Sequence, residues 1–412
     1  MANAGQCSNF PPGTQSSGFC YAATTGDLTS GVSLDSVSSF TVPPNTFTKV
    51  RYTTKLYDDW QDFNTTTNEF VAAQTGDYEV CASLFLGASV NWELDIFRNG
   101  IRQTAIAGGD APFLDGCRDL RLTVGDTVTI RAYQSGPTTL TVSPNSIWDW
   151  MTVFPKNATL SLGDSSQFSI AASTFTKVPY TQERYDDRAE FDLTRSRFTA
   201  SRAGDYEVCA SLYSPTASQW ELDLYKNGAR ENAIAGARST VIQGCRVIRL
   251  AARDYIEVWT HSNVARTVQP NVFWNWMTVS RQASRVSMDN INAFTVSPSA
   301  FKKVPYTAAL YIENSGEFSI PNSRFVSSLF GDYEVCASLY SAITSARWEL
   351  DLFKNGTREN AIAGSTSVVN QGCRVIRLAP GDYVEVWVYQ GTSGSVTISP
   401  NSIWDWMTVT RL

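Results

Sequence analysis

The nine residues GDYEVCASL occur three times in this chain, at Gly76–Leu84, Gly204–Leu212 and Gly331–Leu339. The echo runs well beyond them. Each copy opens on an aromatic segment (FTVPPNTFTKVRY, STFTKVPY, SAFKKVPY). Each continues through a Trp-Glu-Leu-Asp strand into Asn-Gly, and closes on IWDWMTV or FWNWMTV. The first cysteines of the copies stand at 81, 209 and 336. That period is too long for a solenoid unit and fits a whole domain. We therefore divide the chain into a Gly/Ser-rich extension (1–31) and three modules, 32–156, 157–282 and 283–412. The joins FPKNATLSLGDSSQ and SRQASRVSMDNINA read as short connections that hold neighbours close.

Within a module the pattern is that of strands. In YEVCASL, Tyr78, Val80, Ala82 and Leu84 share one face, and Glu79, Cys81 and Ser83 share the other, a period of two. Trp348, Leu350 and Leu352 alternate in the same way with Glu349, Asp351 and Phe353 before the hairpin signal Asn355-Gly356. No stretch carries a sustained helical stripe, and several short strands between turns predict a sandwich or jelly roll.

The order of landmarks resembles the complement C1q/tumour-necrosis-factor-like superfamily. In the third module these are Gly331-Asp332-Tyr333, Asn355-Gly356, Leu378-Ala379-Pro380-Gly381-Asp382-Tyr383-Val384 and Trp404-Asp405-Trp406. The second module departs by having Ala252-Arg253-Asp254 where glycine is expected. The resemblance covers residues 33–412. It implies an all-β fold of three tandem jelly rolls, associating through broad apolar faces as such heads do in trimers. Three copies in one chain then predict a single-chain pseudotrimer, with association made intramolecular. The paired tryptophans Trp148/Trp150, Trp274/Trp276 and Trp404/Trp406 put bulk on both faces of one strand, which predicts packing between modules.

Eight cysteines allow 105 pairings. The repeat narrows them to Cys81–Cys117, Cys209–Cys245 and Cys336–Cys373, with Cys7–Cys20 left in the extension. The first member of each module pair lies on the polar side of its strand, where a free thiol invites oxidation. Disulfides imply an oxidising destination. The N-terminal MANAGQCSNFPPGTQSSGF lacks the charged and apolar blocks of a secretion signal. The expectation is a trimmed signal or release by another route, such as cell lysis.

A net charge of −6 argues against nucleic acid as partner. No apolar run reaches 18 residues, so no membrane-spanning helix is expected. Catalysis is disfavoured. His261 is the only histidine and sits in THSNVARTV, read as a surface loop. The carboxylates of Trp-Glu-Leu-Asp are read as solvated sheet surface, with a carboxylate-based hydrolase as the remote alternative.

Two polar clusters are candidates for binding. The first precedes the Gly-x-Tyr strand, as LYDDWQDF, RYDDRAEF and LYIENSGEF. Tyr57, Asp58, Asp59, Trp60, Tyr185, Asp186, Asp187, Tyr311 and Glu313 are candidate ligands for a sugar or for calcium. The second is Arg230-Glu231-Asn232 and Arg358-Glu359-Asn360, with Arg102-Gln103-Thr104 in the first module, read as cross-strand pairs or contacts between copies. The expected function is a non-enzymatic, lectin-like, extracellular-type head. It would bind a carbohydrate or protein surface through end loops, as a monomeric chain equivalent to a trimer. The alternative is a structural part of a particle, such as a virion or spore decoration or a tail-appendage head.

Overall fold

The protein is described here from a computed structural model covering residues 31–87, 90–156, 158–314, 316–341 and 347–412; the expected pair Cys7–Cys20 lies outside them. Every helix or strand among the described residues is a strand, and the named strands pair antiparallel. The fold is an all-β jelly roll, built once per module. In the first, one sheet runs in the order Phe113–Leu122, Gly76–Phe85, Trp150–Lys156, Val32–Val37 and Tyr52–Asp58. The other follows Phe63–Asn64, Glu69–Val71, Thr127–Gln134, Trp92–Arg98 and Ile101–Gly109.

Period-two alternation explains the core. Tyr78, Val80, Ala82 and Leu84 point between the sheets, where they meet Trp92, Leu94 and Ile96 from the facing sheet. Each module has a separate core of this kind. The hairpins fall where Asn-Gly put them: Asn355 and Gly356 have φ of 51° and 81°, the double left-handed geometry of a tight two-residue turn. At the later turn Gly381 has φ of 90°, and Arg253, in its place in the second module, adopts 75° despite its Cβ.

The joins are not linkers. Ala158–Ser165 is the first strand of the second module, pairing with Tyr180–Asp186 and with the closing strand. Trp276–Ile291 runs without interruption from one module into the next. Gln282 is its last residue opposite the second module's Asp205, and Ala283 pairs with Arg411 of the third. At this second join the chain passes between modules inside a strand, which leaves no slack for independent motion.

The face of Gly76–Phe85 away from the core, read above as polar, is dry. Glu79, Cys81 and Ser83 are at most 1% exposed. The six cysteines and Trp150, Trp276 and Trp406 form one buried cluster spanning all three modules. The disulfides are Cys81–Cys117, Cys209–Cys245 and Cys336–Cys373, each joining residues directly opposite on adjacent strands.

Around this cluster the contacts run in a closed cycle. The Arg118 guanidinium lies 4.4 Å from the Trp276 ring centre, Arg246 lies 4.5 Å from Trp406, and Arg374 lies 4.6 Å from Trp150. Each arginine thus reaches the next module, and the third returns to the first. Trp274 packs on Ala105, Trp404 on Ala233 and Trp148 on Ala361, again across modules. Their close approach needs glycine: a Cβ on Gly236 would stand 2.7 Å from the Trp404 ring.

Candidate binding site at the module junctions

Glu79, Glu207 and Glu334 occupy the same place in the three repeats, and the structure brings all three to one ammonium, that of Lys156. All four side chains are almost wholly buried. Asp119, bonded to the Ser280 hydroxyl, stands beside them. One cation cannot neutralise so many carboxylates in a desolvated space. Burial pushes Glu79 up to about 7 and Asp119 up to about 6, and drives Glu334 up as well. The Lys156 ammonium is held charged, its desolvation outweighed by the surrounding acids.

The acidic loops lie at the edges of the same junctions. Arg377 grips Asp59 at 2.9 and 2.6 Å and Asp332 at 2.7 and 2.8 Å, with its guanidinium 3.9 Å over the Tyr57 ring. Arg121 does the same with Asp187, Asp77 and Tyr185. Arg249 holds Asp205 and covers Tyr311 but reaches Glu313 only at 3.7 Å. Asp58 accepts the backbone N–H groups of Asp62 and Phe63, and Asp186 those of Arg188 and Phe191. These oxygens shape their own loops. Trp60 stands 43% exposed. Among the described residues, the groups with metal-ligand spacing are instead Glu79, Glu207 and Glu334 with the neighbouring cysteines, whose sulfurs are in disulfides.

A second set of clusters lines the outer sheets. Glu349 and Asp351 follow each other on the face of Trp348–Lys354 away from the core, and the hairpin returns Arg358 across them. Arg358 donates from Nε to Asp351 at 2.7 Å and from Nη2 to Glu349 at 3.2 Å. Arg230 repeats this with Asp223 and Glu221, and Arg102 with Asp95 and Glu93. The reading of these acids as solvated surface is corrected. Asp95, Asp223 and Asp351 are 0% exposed, and the second oxygen of each has no partner. Desolvation, reinforced by the adjacent glutamate, raises them to about 8, 7 and 7. The residue two places after each arginine meets a neighbouring module: Thr104 donates to Phe273 O, Asn232 to Ser402 O and Asn360 to Ser146 O.

His261 is also corrected. It lies in the strand Tyr255–Ser262, tilted 4.7 Å over Phe175 with Nδ1 3.4 Å from Glu221, because its period-two position faces the aromatic side of the sheet. Tyr389 holds the same place in the third module, on Phe301 at 5.0 Å.

At the junction of the third and first modules the cluster opens into a groove of about 440 Å³. It is lined by Phe301, Arg347, Glu349, Arg358, Tyr389 and Gly391 from one side and Trp148 from the other. Arg347 lies 4.1 Å over the Trp148 ring and contacts Glu349 at 3.3 Å. Sequence reasoning missed Arg347, Tyr389 and Phe301 as site residues, and missed Lys156. It also missed Arg118, Arg246 and Arg374, although Gly-Cys-Arg in every repeat was a usable signal.

No protein-family model matches the chain. It is similar to protein XkdV of the phage-like element PBSX of Bacillus subtilis, at 35% identity over 94 residues. That match covers 19% of this chain and only 14% of the relative's length. Among solved structures, murine APRIL is similar at 12% identity and TM-score 0.25, covering 31% of this chain and 98% of that one. Eiger TNF from S. frugiperda is similar at 14% identity and TM-score 0.25, covering 32% and 94%. The globular domain of zebrafish complement 1qA is similar at 14% identity and TM-score 0.22, covering 31% and 97%.

Proposed function

We propose that this chain is a non-enzymatic binding head in which one polypeptide stands in for a trimer. It recognises a carbohydrate or protein surface at grooves between its modules. The observation that carries this reading is the groove of about 440 Å³ between the third and first modules, walled by aromatic rings and holding two guanidiniums and a carboxylate. Ligand sites favour such concave, mostly apolar places with a few placed polar groups, often at domain interfaces. The carboxylate pairs are tied to arginine, as a structural or recognition element requires, and the lone histidine packs against Phe175.

The head would work outside a cell or on a particle surface. Three buried disulfides support an oxidising destination. The partial likeness to a phage-element protein favours a second reading, in which the head is a structural part of a particle. Binding of the purified chain to glycan arrays and to intact cells tests the first reading. Retained binding when Tyr389→Ala and Phe301→Ala are combined in a folded variant removes the groove as the site. Absence of any soluble ligand, with tight docking to an assembled particle, leaves the second reading.

A further inference from the structure

We infer that the groove between the third and first modules takes a pyranose carrying a carboxylate, a uronate or a nonulosonate unit of a surface glycan, and that Arg347 selects for the acid. This rests on the binding reading above and narrows it to one ligand class at one junction.

The three junction clusters share a common plan and differ at one cation. Glu93, Glu221 and Glu349 correspond, as do Arg102, Arg230 and Arg358, each glutamate bonded to its arginine. The position before the repeated tryptophan is Asn91 in the first module, Gln219 in the second and Arg347 in the third. At this position the third cluster gains a second guanidinium where the other two have an amide. The carboxylates present do not saturate the pair. Glu349 accepts one bond from each arginine, at 3.2 and 3.3 Å, and Asp351 is spent on Arg358 from a fully buried position. The Arg347 Nε is buried without a partner, while the side chain as a whole stays 30% exposed, so its outward donors are those of the terminal nitrogens.

A guanidinium with unused donors offers a carboxylate charge-assisted hydrogen bonds, and its planar fork suits that geometry. Arg347 and Arg358 face Glu349 and Asp351, so the third cluster is formally neutral where Arg102 with Glu93 and Asp95, and Arg230 with Glu221 and Asp223, each leave one net negative charge; of the three it repels an anion least. The walls fit the rest of the ligand. The partly exposed Tyr389 and Phe301 rings offer apolar surface for the C–H face of a pyranose, while Trp148, 5% exposed, forms the floor beneath Arg347. The volume is that of a small-ligand pocket, enough for one or two sugar units.

The test is titration calorimetry of the full chain at neutral pH, with methyl β-glucuronide, the methyl glycoside of N-acetylneuraminic acid and neutral methyl β-glucoside. At least one acidic sugar should bind about tenfold more tightly than the glucoside, as one charge-assisted contact predicts. Which of the two binds identifies the source of the carboxylate. Arg347→Gln, which installs the second module's residue, should reduce the preference to within about twofold; Arg347→Lys should retain part of it. Unfolding midpoints of both variants confirm that the fold is intact. Equal binding of glucoside and acids, or a preference that survives Arg347→Gln, overturns the inference while leaving a sugar-binding groove standing. Absence of binding by all three sugars overturns it together with the carbohydrate reading on which it rests.

Discussion

The ammonium of Lys156 lies 3.4 Å from Oε2 of Glu334, a residue 178 positions away and in another module. It holds Glu79 and Glu207 at the same time. Replacing it with methionine keeps the stem's bulk and removes the only cation among these carboxylates. Breaking a buried ion cluster from one side typically costs about 3–5 kcal/mol. Lys156→Met should therefore lower the denaturation midpoint sharply near neutral pH and recover as acid protonates the glutamates. Urea titrations at pH 5 and pH 8 check this; a loss equal at both values would contradict the electrostatic account.

The wild type should itself be more stable on the acid side. Glu79 moves from 4.5 to about 7 on folding, Asp119 from 3.8 to about 6, and Asp149 and Asp405 to about 7, each chiefly by burial. Asp95, Asp223 and Asp351 are raised in the same direction. For a raised carboxyl the folded chain binds more protons than the unfolded one between the two pKa values. Its contribution is fully present below the unfolded value and is lost as pH rises through the folded one. The melting temperature should fall from about pH 5 to pH 8. A midpoint that climbs over that range would show these acids ionised in the folded state.

The clamps at the acidic loops should rank by geometry. Asp59 meets Arg377 through two bonds, whereas Glu313 meets Arg249 at 3.7 Å. Both pairs are partly exposed, where an ion pair contributes up to about 1 kcal/mol and is screened by salt. Asp59→Asn should cost more than Glu313→Gln, and the difference should shrink in 1 M salt. If these loops instead hold calcium, added calcium should raise the wild-type midpoint and Asp59→Asn should abolish that shift. Thermal scans with calcium and with chelator separate the two roles.

The sequence made the inside of each module legible and left the space between modules obscure, for a physical reason. Alternation in Tyr78, Val80, Ala82 and Leu84 records a core face, and Asn355-Gly356 records a turn, because both are set by local geometry. Cys81 opposite Cys117 follows from the repeat of that spacing in every copy. Asp59 and Arg377, by contrast, are 318 residues apart and meet only because the ring closes. No periodicity encodes that register. The Trp-Glu-Leu-Asp carboxylates looked solvated for the same reason, since alternation shows that a residue avoids its own core and not whether a neighbour covers it. Of the loop acids singled out for ligands, Asp59 and Asp187 lie on arginines and Asp58 and Asp186 on backbone N–H groups, and the groove residues Arg347 and Tyr389 were hidden because each stands out only against its counterparts in the other modules.

The disulfides should resist reduction in the native protein. Their cysteines are at most 6% exposed beneath the module junctions, so a reductant needs the ring to open first. Each closes a loop of 36 or 37 residues, for which chain entropy predicts about 3–4 kcal/mol. Mild dithiothreitol should leave all three bonds intact, and the same reagent in urea should release the six module thiols in addition to those of Cys7 and Cys20. Mass mapping should return the three within-module pairs; free thiols in the untreated protein would contradict the buried arrangement.

A single lysine facing three equivalent glutamates is a solution closed to a homotrimer of identical modules. A homotrimer of one module would carry three copies of whatever stands at that position, either three lysines or none. The second module has Gln282 where the first has Lys156, and the third has Leu412. Excised as residues 158–282, the second module would bring three Glu207 side chains together with no counter-ion if it associated through the same face. It would also bare Trp274, Trp276 and Val241, which the intact ring covers. This fragment should therefore expose apolar surface and fail to form a defined trimer at pH 7.5, then assemble as acid neutralises the glutamates towards pH 5. Adding Gln282→Lys should shift assembly to higher pH. Analytical ultracentrifugation across that range decides the matter, and a fragment that stays monomeric and soluble at every pH without binding a hydrophobic dye would show that the modules do not need one another.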